Sequence, residues 1–279
     1  MSDKLKNFII RTLSGIVMVA ALICATLFSK LSFALLLLAI TLGGEWEFYR
    51  LAKKAGASPQ CAIGLLAGSL MIVATAAALY EVLAITAFVI VIFMILIPMP
   101  LIFELYRKSS TPIANIGITY AGVVYVALPM TLLMLFPIIL GNGNGWEPWS
   151  VILYIFIIWA NDVFAYLFGI TLGKHRLFER ISPKKSWEGF FGGLLGAMAM
   201  GFVAAKLLDA NIAIWIGLAL IAAITGVFGD LVESLLKRSV GVKDSGSFIP
   251  GHGGWLDRFD ALIFSVPFAF VYLVIVELI

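Results

Sequence analysis

Charge is scarce in this chain. Asp, Glu, Lys and Arg make up 13% of its 279 residues, where a typical soluble domain has about 25%. Hydrophobic residues fill 62%, and no soluble fold hides that much apolar surface. A water-soluble enzyme is therefore excluded, and no nucleic-acid partner is expected. Cysteine is nearly absent as well. Cys24 and Cys61 lie in or beside apolar stretches and offer neither a metal-binding spacing nor a disulfide framework, so both read as packing residues. Also missing are an internal repeat, a low-complexity tail and any polar stretch longer than a loop. The first apolar segment lacks a small-residue cleavage site after a short core, so it reads as a retained span and not as a signal peptide.

What the chain has is apolar length. A transmembrane helix needs about 20 mostly apolar residues, and on that measure nine spans emerge. They run roughly over 9–28, 31–49, 62–80, 82–103, 115–140, 150–171, 188–207, 211–235 and 260–279. Turn residues punctuate them, as at Ser58-Pro59, Thr111-Pro112 and the GNGNG run from Gly141 to Gly145. The expected fold is all-α, a polytopic membrane protein of about nine transmembrane helices. Residues 1–114 are expected to form N-terminal transmembrane helices. Residues 115–279 are expected to form a C-terminal catalytic part that contains the polar stretch 230–260.

The cations set an orientation, because Lys and Arg gather on the cytoplasmic side. With the N-terminus cytoplasmic, all but Lys30 and Lys206 of the 19 lysines and arginines fall on the inner face. Of the inner loops, 50–61 and 104–114 read as basic anchors. The loops at 172–187 and 236–259 are longer and mix both charge signs with Gly, Pro and Ser. They are the functional candidates, and they place an active site at the cytoplasmic face.

The densest polar stretch runs from Gly229 to Asp260. Asp230, Glu233, Ser234 and Lys237 recur at i, i+3, i+4 and i+7, on one face of a helix end. A lone carboxylate just inside the apolar boundary costs about 2.5–3.5 kcal/mol on insertion scales. Either a bound cation or a pairing of Asp230 with Lys237 or Arg238 offsets that cost. Next comes Pro250-Gly251-His252-Gly253-Gly254, where glycines let a backbone approach a phosphate closely. It feeds Asp257-Arg258-Phe259-Asp260, a carboxylate pair at a helix start of the kind that holds Mg²⁺ together with substrate phosphates. For His252 two readings stand, a hydrogen bond to phosphate or a brace for the loop.

The preceding inner loop repeats the theme. Asp162 lies deep in the sixth span with Tyr166 one turn on, and Gly173-Lys174-His175-Arg176 follows. Lys184, Lys185 and Ser186, just ahead of the seventh span, can put two cations and a hydroxyl on an anionic head group. The helix N-terminus adds its positive end. The alternative is a positive-inside loop that meets bulk anionic lipid. In the second span Glu45 and Glu47 flank Trp46, with Arg50 as the expected partner or a place in the outer wall of the site as the alternative.

Taken together, these residues resemble a known pattern. The run Ser234-x-x-Lys237-Arg238-x4-Lys243-Asp244-x-Gly246-x2-Ile249-Pro250-x-His252-Gly253-Gly254-x2-Asp257-Arg258-Phe259-Asp260 closely resembles the signature of the phosphatidate cytidylyltransferases, or CDP-diglyceride synthetases. The stretch Ser182-Pro183-Lys184-Lys185-Ser186-Trp187-Glu188-Gly189 is similar to that family's second recognisable motif. The likeness is specific over about 160–260, and before that it rests on hydropathy. Trp255 departs from the family's usual aliphatic residue, and Ser186 stands where Thr is common.

The resemblance implies that CTP and phosphatidate give CDP-diacylglycerol and pyrophosphate with Mg²⁺, in a bacterial inner membrane. It leaves a second cation such as K⁺, and a homodimer, as open expectations. On that reading Asp230 and Asp257 lead as metal ligands, with Asp260, Asp244 and Asp162 as further candidates. Lys237, Arg238, Lys243 and Arg258 would meet the triphosphate. Lys184, Lys185 and Ser186 would bind the phosphates of phosphatidate or nucleotide, with Gly253 and Gly254 in the phosphate turn. The chemistry is consistent, because a lipid phosphate is already ionised and the task is to bring two polyanions together. Two rivals remain. A CTP-dependent lipid kinase would need a base for a neutral hydroxyl, and an ion-coupled transporter would use Asp162 and Asp230. No inverted pair of broken spans supports the transporter.

Overall fold

Within a bilayer the backbone finds no water to bond, so each apolar run closes its hydrogen bonds internally as a helix. The computed structural model describes residues 3–141, 145–246, 248 and 253–278, with side chains described between 11 and 276 of these. Among the described residues nine helices are long and apolar enough to cross a membrane. The protein is an all-α polytopic membrane protein. The helices are α1 (Asp3–Phe28), α2 (Lys30–Lys54), α3 (Cys61–Leu79), α4 (Leu83–Arg107), α5 (Pro112–Ile139), α6 (Trp149–Leu172), α7 (Trp187–Leu207), α8 (Ile212–Ser239) and α9 (Leu256–Leu278).

Local chemistry sets several of the ends. Ser29 opens α2 with a capping box, its hydroxyl 3.0 Å from the Ser32 N–H while the Ser32 hydroxyl accepts from the Ser29 N–H at 2.9 Å. Two groups that a helix start leaves without partners are satisfied this way. Pro98 interrupts α4 between Leu96 and Met99. In α5 a wide π-turn at Val123–Ala127 precedes Pro129, whose missing N–H breaks the regular ladder.

Two segments differ from expectation. The ninth helix starts at Leu256 and not near 260, so the loop ahead of it is shorter than 236–259. The 172–187 stretch is an antiparallel hairpin, β1 (Arg176–Phe178) with β2 (Ser182–Ser186), in which Arg176 faces Ser186 and Phe178 faces Ser182.

The chain divides into two compact units. The first comprises Met1–Met134 and Ser239–Arg258, so the signature loop belongs with the N-terminal helices. Its core includes Phe33, Leu37 and Ile40 of α2, and Tyr49 donates to the Thr119 carbonyl at 2.7 Å. The buried Glu104 accepts from Asn115 at 2.7 Å, from Gln60 at 3.0 Å and from Arg107 at 3.0 Å. This network joins the ends of α3, α4 and α5. The second unit comprises Leu135–Arg238 and Phe259–Ile279. There Gly192, Gly193 and Gly196 of α7 lie against Phe168, Asn161 and Phe164 of α6. Small residues let the two backbones close up, as membrane helix pairs commonly do. Tyr154 and Ser265, 2.8 Å apart, link α6 to α9.

Candidate active site

In the second unit the hairpin is held in place at both ends. Ser186 caps α7, its hydroxyl accepting from the Gly189 N–H at 3.1 Å. Glu188 reaches back to accept from the N–H groups of Lys174 at 3.1 Å and His175 at 3.2 Å. Its other oxygen lies 2.6 Å from His175 Nδ1. The Trp187 N–H donates to the His175 carbonyl at 2.9 Å. These bonds fix the strand that carries Lys184 and Lys185.

Lys185 projects to α8, where its Nζ lies 2.7 Å from Asp230 Oδ2. Of the two readings offered for Asp230, the pairing with Lys237 does not hold, because Lys237 is bound to Glu233 one turn away. Asp162 of α6 interacts electrostatically with Asp230 and Lys185. Asp260 of α9 interacts with Asp230 and Glu233. A cavity of about 440 Å³ brings Asp162, Arg176, Lys184, Lys185, Ser186 and Asp230 to one space, against apolar walls that include Ile170 and Phe190. Arg176 was named in the candidate loop by the sequence reading but given no role there. Its signal was register, since the hairpin sets it opposite Ser186.

Among the described residues no three His, Cys, Asp or Glu side chains converge into a metal cage. Two carboxylates, Asp162 and Asp230, line the cavity with Lys185 between them, and Asp260 interacts with Asp230 from α9. That donor set suits a cation of the Mg²⁺ type, which takes one or two carboxylates and completes its shell with waters and substrate phosphates.

The first unit builds the signature loop around two carboxylates. Glu47 of α2 is 2% exposed. Its Oε2 accepts from the Ser245 hydroxyl at 2.7 Å and from the Leu256 N–H at 3.0 Å. Gly246 and Gly254 lie against the same carboxylate so closely that a Cβ on either would collide with it. Asp257, in the first turn of α9, turns back on the loop. Its Oδ2 accepts from Ser245 N–H and hydroxyl, both at 3.0 Å, and from Gly254 N–H at 2.8 Å. Gly253 holds φ +85, a conformation that glycine adopts without strain.

Lys243, Asp244 and Arg258 are exposed in this unit, and Arg238 is exposed on the last turn of α8. The PGHGG turn lies only partly in view, because Pro250, Gly251 and His252 are outside the described residues. The expected Glu47–Arg50 pairing is corrected. Arg50 is exposed, and no ion pair joins it to Glu45 or Glu47 among the described residues. Glu47 is the residue that sequence reasoning placed in the wrong company. Glu45 is buried and both of its oxygens lack a hydrogen-bond partner among the described residues.

The second unit thus holds a polar cavity of mixed charge among membrane-length helices, and the comparisons with known proteins show the family. The family model described as "Cytidylyltransferase family" matches residues 9–276, so the chain belongs to that family. Among curated relatives, a phosphatidate cytidylyltransferase of Staphylococcus aureus (strain COL) is 47% identical over 131 residues, 46% of this chain and 50% of the relative. The enzyme of the same name from Staphylococcus haemolyticus is 48% identical over 126 residues, 44% of this chain and 48% of its own length. That from Staphylococcus epidermidis is 45% identical over 131 residues, again 46% and 50%. The match thus spans about half the length of the curated relatives.

Proposed function

We propose that the protein transfers a cytidylyl group from CTP to phosphatidate and releases pyrophosphate. The observation that carries this reading is the Lys185–Asp230 pair inside a cavity that also receives Lys184, Arg176, Ser186 and Asp162. A non-bridging oxygen of the lipid phosphate forms a bond to the α-phosphorus of CTP. The bond from that phosphorus to the α,β-bridging oxygen breaks, and its electron pair leaves with pyrophosphate. The attacking oxygen is already ionised, so no strong base is required.

The residues of the chain position and neutralise. Lys184, Lys185 and Arg176 offer charge-assisted hydrogen bonds to phosphate oxygens, and the capped start of α7 adds its positive end. Asp230, together with Asp162 or Asp260, would hold Mg²⁺, with substrate oxygens as further ligands. Bound there, the ion supplies neutralisation of charge that builds up on the phosphates. Asp257 acts first as the clamp of the signature loop, whose Lys243, Asp244, Gly253 and Arg258 are proposed for the nucleotide phosphates, with His252 proposed from the sequence alone. Lys237 keeps Glu233 neutralised, and Arg238 stands beside it for the triphosphate.

The bilayer supplies the lipid substrate. The N-terminus and the candidate site face the cytoplasm of a bacterial inner membrane, and a homodimer is the proposed assembly. Turnover by purified protein tests the reaction. α-Labelled CTP should put label into lipid and γ-labelled CTP should not. The reverse pattern identifies a lipid kinase, and label in neither case sinks the reading.

A further inference from the structure

The face of α2 that runs through Ala39, Leu42, Gly43, Trp46 and Arg50 lines a groove of about 790 Å³ in the first unit. Its opposite wall is the signature loop itself, through Phe248 and Trp255, whose rings stack at 5.4 Å and 31°. Gly43 makes this approach possible, since a Cβ there would collide with the Trp255 ring. The lining is apolar and aromatic except at Glu47 and Arg50. Glu47 is already engaged by Ser245 and Leu256. Arg50 is exposed, with no hydrogen bond or ion pair among the described residues.

We infer that this groove is a docking site for phosphatidate ahead of the reaction, seating one acyl chain with Arg50 on the lipid's phosphate, and it shares no lining residue with the cavity proposed for the transfer. The inference rests on the reading of phosphatidate as the substrate and gives α2 a part in lipid recognition. Three observations select this occupant. From Ala39 to Arg50 the helix rises about 16 Å at 1.5 Å per residue, which matches one leaflet of a hydrocarbon core about 30 Å thick. Lys53 and Lys54 join Arg50 at the basic end of α2. A phosphomonoester carries about −1.5 to −2 charge at pH 7, more than a phosphodiester head group, and a guanidinium forks onto such oxygens. Trp46, half exposed, sits just before that charged end, where tryptophans anchor to the interface.

Binding can be read without turnover. Purified full-length protein in detergent micelles is photolabelled with a phosphatidate that carries a diazirine in one acyl chain, and the labelled peptides are mapped. Label should concentrate on peptides covering 39–50 and 248–256. Excess phosphatidate should compete it away, and an equal excess of phosphatidylcholine should not. Ala39→Phe, which fills the groove, should abolish it. Leu42→Trp serves as the second blocking variant should the first not fold. Arg50→Ala should weaken labelling about tenfold, with Arg50→Lys in between.

Equal label on the exposed face of α4, equal competition by phosphatidylcholine, or full labelling of a folded blocking variant would overturn the groove. CTP turnover on the same preparations keeps the two readings apart. Label without product sinks the reaction and keeps the groove, while product without groove label sinks the groove alone.

Discussion

Glu47 and Ser245 lie 198 positions apart in the chain, and their side-chain oxygens meet at 2.7 Å in a buried contact. The carboxylate of α2 is thereby the keel of a loop from the far end of the sequence. Glu47→Ala would leave the Leu256 N–H without its buried acceptor and the Ser245 hydroxyl with Asp257 alone, at a cost of about 1–3 kcal/mol. The variant should lose turnover tenfold or more and exchange amide hydrogens faster over 245–256. Glu47→Gln keeps an acceptor and should lie between. Unchanged exchange in the alanine variant would remove Glu47 from this role.

Lys185 and Asp230 should behave as one unit. A hydrogen bond to a charged group is worth about 1.5–3 kcal/mol, so Lys185→Ala should cut turnover tenfold or more, and Asp230→Asn should abolish it with the fold intact. Because the partners touch, the double variant should be no worse than the poorer single one. Additive losses would mean that the contact does not matter for turnover. Asp230→Asn should also weaken the Mg²⁺-dependent protection that CTP gives against heat.

Asp257→Asn should fail differently. An amide in place of Oδ2 faces three donors, from Ser245 and Gly254, with a donor of its own. Turnover should fall together with protection of the loop from protease, whereas Asp230→Asn should leave the loop resistant. Lys243→Ala, at an exposed position in the same loop, should reduce turnover with the loop still resistant. Full activity in both variants would exclude this loop from the reaction.

Topology is open to direct test. Cysteines placed in 50–61, 104–114, 172–187 or 236–259 should be labelled only from the cytoplasmic side, and one near Gly143 only from outside. Cytoplasmic labelling near Gly143 would overturn the proposed orientation.

Glu45→Met should raise the melting temperature in detergent. The wild-type carboxyl is buried against Gly68 without a hydrogen-bond partner among the described residues, and an apolar side chain of similar length leaves no unpaired polar atom there. A gain of 1 kcal/mol corresponds to roughly 2–4 °C for a protein near this size. A comparable drop would show that the carboxyl serves another group.

The nine helices were legible because a bilayer imposes one length on every span, and apolar runs report that length directly. Lys184, Lys185 and Ser186 were legible as a cluster because they are neighbours in sequence. The hairpin that holds them was not, since SPKKS has no alternation of apolar and polar residues and contains Pro183. Glu47 was misassigned for a related reason. Arg50 stands one helical turn away, while Ser245 and Leu256 are brought to it only by tertiary folding, which no local periodicity encodes. The early start of α9 was hidden by the charges of its first turn, which look like loop in a hydropathy scan.

The Glu47 contact also sets a schedule for the newborn chain. Ribosomes add about 5–20 residues per second, so Ser245 follows Glu47 after roughly 10–40 s. Through that interval α2 presents a carboxylate whose loop partners have not yet been synthesised, at an insertion cost of about 2.5–3.5 kcal/mol if it lies at membrane depth. The first unit can close only after the loop between α8 and α9 has been translated. A ribosome stalled before residue 245 would therefore hold an N-terminal half that is inserted but unfinished, and a separately expressed C-terminal fragment would be needed to complete it.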